Sequence, residues 1–323
     1  MTVVHAIVQR GRLSYEALVL AASWREAGMA ARRQILFLAP KQGPLWPEAP
    51  GPDLAIREAL LALGAQTSTF SSMTFGADYP HGNKIEALAA LPPDAPFLFL
   101  DTDTLILQAF DPEHAATAMP SASLNRSNSW PKVPDGEVRD AIWRGLYARF
   151  GIDFAGSLDL DHPPGAWERY LYFNAGWIHG PAAGPFGATF REIAGAIRAD
   201  PGEVLEGQAL TPWLDQIALP LTVRAHGGGR ESPLRDALDG PAVCHYRWLP
   251  LLYARASDAA VEMLERCAFL PEVKVLLQTY EPARRLIFDG EGRRIRALFA
   301  AEGVPEDEAV LRKRLRAEGV WIR

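Results

Sequence analysis

Residues 97–107 read FLFLDTDTLIL: four apolar residues, Phe97 to Leu100, run straight into Asp101-Thr102-Asp103, and a second apolar run follows. A run of four fits a buried strand and is too short for a helix. Side chains alternate along an extended chain, so Asp101 and Asp103 are expected to point the same way at the strand end. Paired anions beside a core are costly unless something compensates them. A hard cation such as Mg²⁺ or Mn²⁺ takes carboxylate ligands and keeps positions open for substrate phosphates. The plain alternative is a turn between two strands with aspartates as turn residues. The apolar flanks on both sides favour the site.

Upstream of this string the pattern alternates. Val3 to Val8 is an apolar, β-rich run, and Ser14 is placed to cap a helix reaching Ala27 and stopped by Gly28. Gln34 to Leu38 reads as the next strand, and the proline-rich stretch 39–52 as a surface loop. A helix from Asp53 to Gly64, a strand from Ala65 to Phe70 and a helical segment from Lys84 to Leu91, closed by Pro92-Pro93, complete the series. Strand and helix at this spacing predict an α/β fold: a mostly parallel sheet flanked by helices, with ligands at the carboxyl ends of the strands.

Downstream the chain is less regular. Residues 120–168 are rich in Ser, Asn, Pro and Gly, with one helix expected from Glu137 to Phe150. Leu171 to Gly180 reads as a strand with a polar break, Phe186 to Ala199 and Pro212 to Leu219 as helices, and Ala242 to Trp248 as a strand. After Leu249 the pattern is mostly helical, and its basic clusters read as solvated helix faces.

Composition narrows the function classes. The 323 residues carry 33 Lys+Arg against 39 Asp+Glu, a formal net charge of −6, which argues against binding nucleic acid by phosphate neutralisation. Cys244 and Cys267 form no CxxC and suit a reducing compartment, so a cytoplasmic location is expected. No apolar run approaches the length of a transmembrane segment, and the sequon Asn125-Arg126-Ser127 is read as chance. P-loop, HExxH and GxSxG motifs are absent.

Two chemistries use an apolar strand followed by DxD. One is phosphoryl hydrolysis of the haloacid dehalogenase type, with Asp101 as nucleophile. That fold carries its motif on the earliest strand and needs a downstream acidic pair; here about a hundred residues come first and no such pair follows. The other is transfer from an NDP-sugar, in which the DxD holds a metal against the diphosphate.

LFLDTDTLI resembles the DxD strand of GT-A glycosyltransferases, and is most similar to the retaining family that includes glycogenin and bacterial lipopolysaccharide galactosyltransferases. Four further segments follow the order of that family. Asn83-Lys84-Ile85 resembles its donor-facing basic helix, and Phe173-Asn174-Ala175-Gly176 its FNxG sugar pocket. Asp215-Gln216 resembles its DQ pair near the reacting carbon, and Cys244-His245-Tyr246 the strand-end histidine of its metal site. The matches span residues 3–248. They depart from the family after His245, where HYRWLPLL replaces HxxGxxKP and Arg247 is the nearby cation, and at Ala218, where DQ is not extended to DQD.

The resemblance implies a GT-A-like mixed, mostly parallel sheet in residues 1–250, with a nucleotide-binding half (1–110) and an acceptor half (111–250), then a helical extension over 251–323. It implies a metal-dependent glycosyltransferase of the hexosyl class. Asp101, Asp103 and His245 would hold Mn²⁺ or Mg²⁺. Lys84, Asp101, Thr102, Asn174 and Gly176 would bind the donor, a UDP-sugar foremost, and Asn174, Asp215 and Gln216 would surround the anomeric carbon. The acceptor would be a hydroxyl of a glycan or another molecule. For each residue a plain reading stands beside the functional one: Lys84 as a solvated charge, Asn174 as a turn cap, Asp215-Gln216 as a polar helix face, His245 as an ordinary histidine. A nucleotide-sugar-binding protein without catalysis is the remaining alternative. Six of the nine tryptophans lie between Trp130 and Trp248; core packing accounts for most of them, and an acceptor platform for some.

Overall fold

The computed structural model describes residues 1–116, 119–234 and 240–322. Four strands, β1 (Val3–Ile7), β2 (Ile35–Pro40), β3 (Gln66–Phe70) and β4 (Phe97–Leu100), run parallel. Two small pieces follow β4: β5 (Thr104–Ile106) and β6 (Ser121–Leu124). Then come β7 (Phe173–Gly180) and β8 (Val243–His245). Among the described residues the main sheet has the order β3-β2-β1-β4-β7-β6, with β7 antiparallel to both neighbours. It is therefore mixed and mostly parallel, as expected. β5 and β8 form a separate two-stranded antiparallel pair.

The helices up to residue 225 are α1 (Arg12–Glu26), α2 (Leu54–Ala62), α3 (Asn83–Glu86), α4 (Pro112–Ala116), α5 (Glu137–Arg149), α6 (Ala183–Ala199) and α7 (Leu214–Ala225). A helical set running from Leu249–Arg255 to Glu308–Ala317 ends the chain. Alternation along β4 sends Leu98 and Leu100 to one face and Phe97 and Phe99 to the other. The leucine face packs against α1, α2 and the C-terminal helices; the phenylalanine face packs against α5, α6 and α7. No helix among the described residues is long and apolar enough to cross a membrane.

Several local expectations are corrected. Ser14 does not cap α1. The helix starts at Arg12, behind Gly11, and the Ser14 hydroxyl donates to the Gln9 carbonyl at 2.6 Å. The far end is as expected, with Gly28 at φ 77° after the last turn. α7 does not stop at Leu219 but continues through Pro220 to Ala225. Proline lacks the N–H that would bond to the carbonyl of Gln216 and its ring crowds that carbonyl, and packing of α7 outweighs both. The polar break before Gly180 is an irregularity of pairing, where the register between β6 and β7 shifts at Ala122/Ser123. Asp101 to Asp103 lie in a bend between β4 and β5, so a turn, and not an extended strand, brings the two carboxylates together.

His5 lies in β1 with no exposed surface, its ring 5.4 Å from that of Phe99 and 6.3 Å from that of Phe97. Burial pushes its imidazole from an ordinary 6.5 down to about 4. Between those values the unfolded chain takes up a proton that the folded chain refuses. Stability is therefore lost as pH falls from about 6.5 towards 4, by up to ~3 kcal/mol from this residue. Urea unfolding at stepped pH is expected to show this loss in the wild type and a shallower one in His5→Leu. A difference between the two proteins that does not change with pH would refute it.

Candidate active site

The carboxyl edge of β4 gathers residues from most of the chain, and strand direction explains how. Leu100 pairs with Trp177 in the antiparallel β4–β7 ladder, so the start of β7 lies beside the end of β4. The Asp101 N–H donates to the Gly176 carbonyl at 2.7 Å, and Asn174 comes to the same edge. β8 runs antiparallel to β5 with His245 opposite Thr104, one residue past Asp103, and the Tyr246 N–H donates to the Asp103 carbonyl at 3.0 Å. A separation of 142 residues is closed by one short ladder.

Asp101, Asp103 and His245 each offer one ligand atom, and these atoms lie within 4.8 Å of one another. His245 Nε2 is 3.1 Å from Asp103 Oδ1. Two carboxylates and an imidazole are a donor set that suits Mn²⁺ or a similar divalent ion. Gly176 explains the close approach: a Cβ there would lie 2.9 Å from His245 Cε1, 3.1 Å from Asn174 Oδ1 and 3.3 Å from Asp101 Oδ2. Its part is to let β7 close on the cluster, and its own atoms do not line the cavity.

Lys84 is not a solvated charge. It is buried in α3, with Nζ 3.2 Å from Asp101 Oδ1, 3.3 Å from Asp215 Oδ2 and 3.0 Å from the Ala175 carbonyl. Asp215, in the first turn of α7, also accepts from the Tyr79 hydroxyl at 2.8 Å, while the Tyr79 oxygen accepts the Asp215 N–H at 3.0 Å. Tyrosine thus serves one of the helix's unpaired N–H groups, and the anion sits where the helix dipole favours it. Gln216 accepts from the Tyr172 hydroxyl through Oε1 at 2.9 Å, and Asn174 accepts the Gly176 N–H through Oδ1 at 3.0 Å. In both amides the oxygen is engaged, which leaves the NH₂ group as the donor available to the cavity.

Lys84, Asp101, Thr102, Asp103, Asn174, Asp215, Gln216 and His245 line one cavity of about 440 Å³. Thr102 turns its hydroxyl to Glu16 Oε2 at 3.0 Å. Glu16 was not legible as a site residue, nor were Arg12, Gln9, Tyr79 and His81; Arg12 and Gln9 directly follow β1, where a strand-end search would have found them. Arg12 pairs with Glu16 at 3.1 Å, lies 4.1 Å above the Trp248 ring and donates to the Arg247 carbonyl at 3.2 Å. Arg247, the cation that stands after His245, has a left-handed φ of 63° and is tied to Glu308 at 3.0 Å.

Charge balance separates the carboxylates. Burial raises Asp101, against the pull of Lys84. Burial would raise Asp103 as well, but His245 beside it holds it below the ordinary range. Burial would lower His245, and Asp103 outweighs that and raises it. Glu16 is pushed well up, first by burial and then by Asp103. Lys84 is held above its ordinary range because Asp101 and Asp215 outweigh its own burial.

Removing one partner of a buried ion cluster leaves the others uncompensated. Lys84→Met is expected to destabilise the protein by about 3–5 kcal/mol in urea unfolding. Adding Asp215→Asn to that variant is expected to restore part of the loss. A double variant less stable than Lys84→Met would overturn this account of the cluster.

Among curated proteins no sequence matches. A solved structure of an active-site glutamine-to-glutamate mutant of LgtC is similar at 15% identity, over 84% of this chain and 96% of that one, with a TM-score of 0.50. The glycosyltransferase GlyE of Streptococcus pneumoniae TIGR4 is similar at 14% identity over 72% of this chain and 46% of that one, but its TM-score of 0.36 supports no structural argument. The sequence model of the Rhodobacterales glycosyltransferase domain matches residues 4–227, which include β1 from Val4 onward, β2 to β7, the DxD, Lys84, Asn174 and the Asp215-Gln216 pair. The chain belongs to that family, and is a glycosyltransferase on a GT-A-like fold.

Proposed function

We propose that the protein moves a hexose from an NDP-sugar, a UDP-sugar foremost, to a hydroxyl of a glycan or other acceptor, and that it needs Mn²⁺ or Mg²⁺. One observation carries this reading: the Asp101, Asp103 and His245 ligand atoms meet at the wall of the same cavity that Lys84, Asn174, Asp215 and Gln216 line. Asp101, Asp103 and His245 would hold the ion, which when bound supplies Lewis-acid charge against the negative charge growing on the departing diphosphate. Lys84 keeps Asp101 and Asp215 in place and adds a permanent positive charge beneath the site. Asp215 is fixed as an acceptor by Tyr79 and Lys84. The free NH₂ groups of Asn174 and Gln216 donate to sugar hydroxyls and orient the ring for attack. The motif lies after the fourth strand, with an α/β unit before it, an arrangement that supports transfer over hydrolysis with Asp101 as nucleophile. The two free cysteines support the cytoplasm as the compartment.

Calorimetric titration with UDP is expected to show binding that needs Mn²⁺ and is abolished by EDTA. Asp103→Ala is expected to remove the Mn²⁺-dependent part with the fold intact, and His245→Ala to weaken it by at least about 10- to 100-fold. Equal UDP affinity in wild type and Asp103→Ala would refute metal-supported donor binding. Wild type is also expected to release no phosphate from p-nitrophenyl phosphate; turnover that disappears in Asp101→Asn would instead favour the phosphohydrolase.

A further inference from the structure

A second cavity, of about 410 Å³, lies against β6 and the loop over 159–170. Its size is that of a small-molecule site. It neighbours the first cavity at Asn125, which lines both. Tyr172 makes a second link: the residue lines the second cavity, while its hydroxyl donates at 2.9 Å to Gln216, which lines the first. One layer of side chains thus separates this space from the group expected at the reacting carbon.

The chemistry of the lining points to a neutral, hydroxylated ligand. Two arginines, Arg126 and Arg230, and two acids, Asp159 and Glu168, line it, so the cavity carries no charge excess to select an anion. Arg230 already donates to three backbone carbonyls, of Ser157, Glu168 and Arg169, at 3.4, 3.4 and 2.8 Å. His162 and Ser232 add groups able to bond hydroxyls.

The remaining feature is Trp167. Each of the other eight tryptophans packs against a ring, lies beside a cation or donates its Nε1–H. The half-buried Trp167 side chain has none of these partners among the described residues, and it lines this cavity. It also belongs to neither hydrophobic core. An indole in a cavity wall, with no ring, cation or hydrogen-bond partner among the described residues, is suited to stack on the C–H face of a sugar ring.

We propose that the second cavity is an acceptor subsite that takes a neutral sugar ring, with Trp167 as its stacking platform, while another ring of the same acceptor presents its hydroxyl in the first cavity. The proposal rests on the transferase reading and narrows the acceptor to an oligosaccharide of at least two neutral sugars.

The test is glycan-array binding of the full chain with Mn²⁺ and UDP present, together with calorimetry of Mn²⁺–UDP on the same samples. Wild type is expected to retain neutral oligosaccharides at least tenfold better than their component monosaccharides. Trp167→Ala is expected to lose that retention by tenfold or more, and Trp167→Phe to keep part of it. Both variants should keep the wild-type melting temperature and Mn²⁺–UDP affinity. Retention unchanged in Trp167→Ala would overturn the subsite, as would a wild type that binds Mn²⁺–UDP but retains only charged glycans or none. Neutral glycan retention sensitive to Trp167, in a protein that does not bind Mn²⁺–UDP, would uphold the subsite and remove the donor reading instead.

Discussion

The repulsion among carboxylates crowded at the end of β4 is the constraint around which the rest is arranged. Asp101, Asp103, Asp215 and Glu16 converge on one cavity wall. Each is compensated by a different kind of group: Lys84 between Asp101 and Asp215, His245 on Asp103, Arg12 and the Thr102 hydroxyl on Glu16, the Tyr79 hydroxyl on Asp215. Such a cluster is a poor way to stabilise a fold, since burying charges costs more than most pairs return. In the proposed reading the cluster would serve to hold a cation, because the negative charge has to be in place before the cation arrives.

Backbone direction makes the convergence possible. In a purely parallel sheet β7 would bring its end, not its beginning, to the edge where β4 delivers its aspartates. Because β7 is antiparallel, its first residues, Phe173 to Gly176, arrive there. The β5–β8 pair does the same for His245. Gly176 then removes the side chain that would hold the strands apart. The sheet turns antiparallel beside β4, where the candidate site takes residues from the start of β7.

The C-terminal helices reach this site indirectly. Glu308 accepts from Arg247, Arg255 and Arg312 at 3.0, 2.7 and 2.6 Å, and these arginines hold it below the ordinary carboxylate range although burial would raise it. Arg247 is the one non-glycine with a left-handed φ among the described residues, a backbone state that neighbouring contacts must sustain. The Glu308 pairing and the bond from Arg12 to the Arg247 carbonyl are those contacts.

What could be read without coordinates was local. Strand β4 and its aspartates, the glycine end of α1 and the strand–helix alternation each follow from neighbouring residues, because periodicity and φ preferences act over a few positions. Lys84, Asn174, Asp215 and His245 could be nominated only through their likeness to a known family, since nothing in their immediate surroundings separates them from a solvated lysine, a turn asparagine or a core histidine. The errors were local features overridden by packing: Ser14 gave up the cap for the Gln9 carbonyl, and Pro220 stayed inside α7. Glu16 and Tyr79 stayed hidden for a different reason. They enter the site through contacts with residues 86 and 136 positions away along the chain. The sequence by itself determined which residues could carry charge and where strands would form. The tertiary structure alone decided which charges meet, because strand direction and register set distances between segments that no local pattern encodes.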